Sequence, residues 1–424
     1  MFKTYCKQTW QMMKQHRLFT GIYVVGTALA IATTTAFAII YYVKIAPVYP
    51  ETQRNETYYF VKVRDKSDNG WYESRLSYEF LKNKIYDIKN ADVTTAWYDN
   101  WQEFYVDKTD KSRQQVVVKA VDNNWWDLFK FDFKTGRPFG AADFESGSRT
   151  AVITTTLADK LFGHEDVEGE NVILNFVPYR VSGVVKPGSG VNYNSFADIY
   201  IPYTSVAGYD KKSGSDYAGN FIVFFKAKDG DALKAEVDEI IRVETSSNPG
   251  HTLEIWKQPM PHILNAFMYP SDEDFSWWDV IKDKLIIFLV LLIVPALNLS
   301  GMISSRMDMR SAELGIRKSF GATRGVLLRQ VLWENLLLTL VGGVLGLVLT
   351  WIFINATSDW LFSIFDTFPE EIPGGISVTT DMFFAPVVFI FSFLVCVVLN
   401  LLSGLIPAWR SLKHTIVSSL KEKQ

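Results

Sequence analysis

Met307-Asp308-Met309-Arg310-Ser311-Ala312-Glu313-Leu314-Gly315-Ile316-Arg317-Lys318-Ser319-Phe320-Gly321-Ala322-Thr323 is a charged, helix-compatible run between two segments apolar enough to cross a bilayer. A charge at the centre of a membrane helix costs about 2.5–3.5 kcal/mol, so this run belongs to a short loop at one membrane face. Its composition is that of a docking surface rather than of a catalytic centre.

Working outward, four stretches approach the roughly 20 apolar residues that a membrane helix needs. They are 18–43, 285–305, 335–358 and 383–409; the first holds no ionisable acid or base between Arg17 and Lys44. Basic residues set the orientation. Lys3, Lys7, Lys14 and Arg17 precede the first span, and Arg306, Arg310, Arg317, Lys318, Arg324 and Arg329 crowd the loop at 306–334. Arg410, Lys413, Lys421 and Lys423 mark the tail at 410–424, whereas the loop at 359–382 carries only acids. The N-terminus (1–17), the middle loop and the tail are therefore expected in the cytoplasm, and 44–284 outside. The net charge of -3 does not point to nucleic acid. The first span lacks a clear cleavage site and reads as a retained signal anchor.

The expected fold class is thus an α-helical membrane protein with four transmembrane helices. A large extracytoplasmic α+β domain lies between the first two. In it, Thr57 to Val63 and Val93 to Trp97 read as strands flanking a helical face of Tyr78, Leu81, Ile85 and Ile88. The order recurs with strands at Phe221 to Phe225 and Leu253 to Trp256 around Leu233, Val237, Ile240 and Ile241. Short β runs fill the middle. This predicts an α/β subdomain (44–113 and 216–284) carrying a β-rich insert (114–215). The domain contains no cysteine: Cys6 and Cys396 lie outside it, so no disulfide stabilises it.

Two stretches carry a resemblance. One is Thr135-Gly136-Arg137-Pro138-Phe139 with Ala151-Val152-Ile153, Leu157-Ala158-Asp159-Lys160-Leu161-Phe162-Gly163, Tyr179-Arg180-Val181-Ser182-Gly183-Val184-Val185 and Ile199-Tyr200-Ile201-Pro202. The other is Arg310 to Thr323, with Gln330 and Glu334 opening the third span. The chain resembles MacB/FtsX-type ABC transporter permeases over nearly its whole length. The resemblance implies a non-catalytic subunit of a bacterial inner (cytoplasmic) membrane complex. It implies a dimer with a second permease copy or paralogue, bound to cytoplasmic ABC ATPase subunits. A periplasmic adaptor or outer-membrane protein is a further implied partner. No cofactor is expected, because ATP would bind the partner: this chain contains no G-x-x-x-x-G-K-[ST] phosphate loop.

Residue by residue, the loop has the chemistry of a coupling element. Glu313 and Arg317 are spaced to pair on a helix. Leu314 and Ile316 offer apolar knobs, and Arg310, Arg317 and Lys318 offer charge; Gly315 and Ala322 belong to the family motif. Gly321 suits a left-handed helix end, and Thr323 is placed to cap the next helix. The plainer reading is a solvated turn. Gly342 and Gly346 permit close helix approach, within one chain or between two. Pro295 would kink the second span as a static bend or a hinge. His164, Glu165 and Asp166 read as a polar turn rather than a metal site. Two rival functions stay open: a regulator of an extracytoplasmic cell-wall hydrolase, and a membrane receptor or sensor.

Overall fold

The computed structural model describes residues 10–413 except 12, 16, 69, 100–101, 108–111, 213–214, 272–274, 310 and 366–385. Arg310, most of the acidic loop at 359–382 and the tail beyond 413 lie outside the described residues. Two compact units divide the chain, one built on Val43–Phe275 and the other on the long helices to either side.

The sheet unit grows from Phe221–Lys226, whose sequence Phe-Ile-Val-Phe-Phe-Lys is apolar on both faces. Successive side chains of a strand point to opposite sides. Phe221, Val223 and Phe225 accordingly enter one core, and Ile222 and Phe224 a second. Thr57–Phe60 and Val93–Tyr98 flank this strand, both antiparallel to it. The result is a split β-α-β arrangement. Helix Gly230–Ser247 begins on an Asp229 cap and buries Leu233, Val237 and Ile241. The expected helix at 78–88 is instead a short turn, Tyr78–Phe80, running into a π-helical turn, Leu81–Ile85. Its stripe still faces inward, with Leu81, Ile85 and Ile88 in the core.

Val93–Tyr98 also pairs with Val118–Val121, through Trp97↔Val121 and Tyr98↔Ala120. From there the sheet continues into the β-rich half. Val118–Val121 runs parallel to Ile199–Pro202, which borders Thr150–Thr154, and the latter runs parallel to Val177–Val185. The hairpin of Phe104–Asp107 and Arg113–Val116 closes this edge by pairing with Asn171–Leu174. It straddles the seam expected near Arg113. Gly136 sits at φ +67, where an added Cβ would lie 2.3 Å from the Ser182 carbonyl oxygen. Only glycine lets these two strands approach so closely.

In the helix unit, Arg17–Ile45, Arg324–Thr357 and Pro386–Leu405 are long and apolar enough to cross a membrane. Four spans were expected, and among the described residues three meet that test. The stretch expected to cross second is helical as part of Trp277–Met309. Ser311–Ser319 forms a separate short helix. The next helix begins at Arg324, directly after the expected cap Thr323 and ahead of the span expected from 335, and runs to Phe365, broken by a non-helical Thr357. Ile31, Leu292 and Cys396 share one apolar cluster, which brings three of the long helices together. Tyr23, Ile303, Met307, Leu327, Val331 and Leu338 form another.

Candidate functional site

Helix Ser311–Ser319 is short, and its ends are well defined by local chemistry. Gly321 adopts φ +90, and its N–H donates to the Lys318 carbonyl at 3.0 Å while Ala322 N–H donates to Arg317 at 3.0 Å. These paired bonds make a Schellman stop, which satisfies carbonyls that a helix end otherwise leaves open. Thr323 comes just before the next helix, its carbonyl accepting from Val326 and Leu327. Ala322 packs against the Tyr23–Met307–Leu327 cluster.

A chain of polar side chains fixes this helix to its successor. Arg317 Nη2 lies 2.7 Å from Glu313 Oε1, and Arg317 Nη1 donates to Gln330 Oε1 at 2.8 Å. Gln330 Nε2 then donates to Glu334 Oε1 at 3.1 Å. Gln330 and Glu334 are both buried. The Glu313–Arg317 pair alone is half-exposed and worth only a few tenths of a kcal/mol, about 0.3–0.5. Its fork to Gln330 is what converts a helix-local pair into a tether between helices. Gly315 is buried and Lys318 half-buried. The Leu314 and Pro295 side chains lie outside the described set, although the backbone is helical at both.

Beside the Glu313–Arg317 pair, on the same stripe of the helix, the surface is apolar and open. Ile316 is 51% exposed and Phe320 88%. Phe320 was passed over in the sequence because it sits among Ser, Gly and Ala at the helix stop.

Gly342 and Gly346 lie against the first helix. A Cβ on Gly346 would stand 2.8 Å from the Ala28 carbonyl oxygen, and one on Gly342 2.9 Å from Thr27 Cβ. These glycines therefore serve packing within one chain. Gly346→Ala is expected to lower the stability of the detergent-solubilised chain by about 1–3 kcal/mol. Gly21→Ala, where nothing lies within 4 Å, should be neutral or slightly favourable, since alanine suits helices better. Equal melting temperatures for the two variants would refute this packing role.

Residues 20–243 match the MacB-like periplasmic core domain, and residues 285–416 match the FtsX-like permease C-terminal domain. The chain belongs to the MacB/FtsX permease family. The family is that of ABC transporter permeases, and the sheet unit carries its MacB-like domain. The permease is 25% identical over 270 residues to the uncharacterized ABC transporter permease YknZ of Bacillus subtilis, covering 63% of this chain and 64% of that protein. It is also 25% identical over 250 residues to the macrolide export ATP-binding/permease protein MacB of Acinetobacter baylyi, covering 55% of this chain and 34% of that one. The permease thus spans less than two thirds of these relatives. Among solved structures, the extracellular domain of YknZ is similar at 17% identity, over 46% of this chain and 99% of that one, with TM-score 0.33. The periplasmic region of MacB from Actinobacillus actinomycetemcomitans gives 17% identity, 46% and 87% coverage, and TM-score 0.33.

Proposed function

We propose that this permease transmits ATP-driven motion from separate cytoplasmic ATPase subunits to its MacB-like domain, for export or extraction of a substrate. The carrying observation is helix Ser311–Ser319. It presents the exposed Ile316 and Phe320 next to Arg317, which ties the helix to Gln330. An apolar knob flanked by cations is what a groove on a partner would grip. The tether then passes a push on this short helix to the long helix beginning at Arg324.

In this reading the loop helix and both termini lie in the cytoplasm, four helices cross the inner membrane, and the MacB-like domain stands outside. The permease is itself non-catalytic and works as a dimer. The relatives named for macrolide export support an exported antibiotic; a peptide or lipoprotein-like cargo and a periplasmic adaptor belong to the same reading. Pro295, inside helix Trp277–Met309, would serve in this reading as the hinge of that helix.

The test uses nanodisc-held permease and its co-expressed ATPase. Phe320→Ala, and the pair Glu313→Ala with Arg317→Ala, should each weaken association by about tenfold or more. Phe320→Ala should hardly change stability, because that side chain buries little, whereas the double variant also removes the bond to the buried Gln330. Unaltered association and ATPase stimulation in both variants would refute the docking role.

A further inference from the structure

The last turn of the first helix ends inside the MacB-like domain on a buried arginine. Arg54 is 4% exposed. Its Nη1 donates to the carbonyls of Val43 at 2.6 Å and Ala46 at 2.7 Å. A helix leaves its final carbonyls without partners, and a guanidinium is suited to collect several at once, having five donors in a rigid fork. Arg54 Nε bonds Glu51 Oε2 at 2.8 Å, and Nη2 bonds Asn192 Oδ1 at 2.7 Å.

These partners come from both halves of the domain. Asn192 also donates to the Tyr49 carbonyl at 3.0 Å, and Ser195 Oγ donates to Glu51 Oε1 at 2.6 Å. Both belong to the segment between Val177–Val185 and Ile199–Pro202, in the β-rich half. From the α/β half, His262 Nε2 lies 3.0 Å from the Lys44 carbonyl, and Nδ1 lies 2.7 Å from the Tyr59 hydroxyl. A carbonyl can only accept, so Nε2 carries the proton and Nδ1 accepts from Tyr59. Burial alone would raise the Glu51 carboxyl, but the adjacent Arg54 and the Ser195 hydrogen bond outweigh it and keep it anionic. The cluster is thus a compensated ion pair with its polar atoms occupied, the condition under which buried charge is tolerated.

We propose that Arg54 is the positioning residue that joins the end of the first helix to the segment 188–196, so that the two move as one piece. What drives the motion rests on the ATP-coupled reading above; the joint itself does not. Arg54→Lys keeps a cation opposite Glu51, but a single ammonium cannot fork to Val43, Ala46 and Asn192 together.

The experiment is amide hydrogen exchange on the full chain in lipid nanodiscs, alone and with the co-expressed ATPase in the presence and absence of ATP. In Arg54→Lys, residues 43–49 and 188–196 should both exchange about tenfold faster or more, as expected when charge-assisted hydrogen bonds are lost. Strand Phe221–Lys226 should keep its protection, which separates a loosened joint from general unfolding. With ATPase, the variant should assemble and hydrolyse ATP normally, yet lose the nucleotide-dependent change at 188–196 that the unaltered chain shows. Loosening of 43–49 alone, or a full nucleotide response in the variant, would overturn the proposal. If the unaltered chain shows no nucleotide response while both segments still loosen together, the ATP-driven reading fails and the joint stands. Should Arg54→Lys not fold, Ser195→Ala cuts the loop's bond to Glu51 and should loosen the same two segments; loosening of neither would overturn the joint.

Discussion

Trp125→Ala is expected to destabilise the MacB-like domain by about 3–5 kcal/mol, the usual range for deleting a large buried aromatic side chain. Trp125 is fully buried. Its ring centroid lies 4.2 Å from that of Phe129, and it meets Phe224 edge-on at 5.6 Å and 85°. The cluster around it takes Tyr59, Ile222 and Phe224 from the α/β half and Val152, Val185 and Tyr200 from the β-rich half. Alanine would therefore leave a cavity in a core that both halves share. Trp125→Phe should lose much less. The indole Nε1 is buried without a hydrogen-bond partner, so phenylalanine removes an unmet donor along with some volume. Pulse proteolysis in urea on the nanodisc-held chain would measure both. Equal losses for the two substitutions would contradict this account.

The second large effect concerns acidity. Burial, with the Arg54 guanidinium alongside, holds His262 down from 6.5 to about 4. Between these values the unfolded chain binds a proton that the folded imidazole refuses. Stability therefore rises with pH through this window and is lost as pH falls from 6.5 toward 4, by about 3 kcal/mol in all. Asp122 opposes this trend. Burial raises its carboxyl to about 6, so the folded state holds that proton over much of the same range. His262→Gln isolates the imidazole: the stability difference between unaltered chain and variant should climb with pH across the window, while Asp122 cancels. A flat difference would show that His262 is not held neutral.

The residue pattern disclosed the strands whose apolar residues form runs, such as Phe221–Lys226 and Val93–Tyr98, because burial on both faces leaves that trace. It did not disclose the hairpin Val63–Ser67 and Gly70–Leu76. That hairpin alternates charges rather than apolar residues, and pairs them across strands: Lys62 and Arg64 each lie 3.0 Å from Glu73, and Arg64 reaches Glu254 at 3.4 Å. Arg64 also stands over the rings of Trp71 and Trp256, at 5.0 and 4.8 Å. Such pairings depend on register, which composition does not record.

The same holds at the sites. Glu313 and Arg317 were legible because their partnership is local, one helical turn apart. The tether to Gln330 was not, since it depends on how two helices meet. Arg54 lies in Glu51-Thr52-Gln53-Arg54-Asn55-Glu56, which has the look of a solvated loop. Its burial is set by Asn192, 138 residues away, and by Ser195, 144 residues from Glu51.

The sheet that passes without interruption from Val93–Tyr98 into Val118–Val121 limits how the MacB-like domain can deform. Two lobes on a flexible linker could open and shut like a jaw. Here a jaw movement would break the ladder at Trp97↔Val121 and Tyr98↔Ala120 and split the aromatic core beneath it. The soft coordinate left to such a ribbon is torsion about its long axis, so a tug at one edge should reach the far hairpin as a twist.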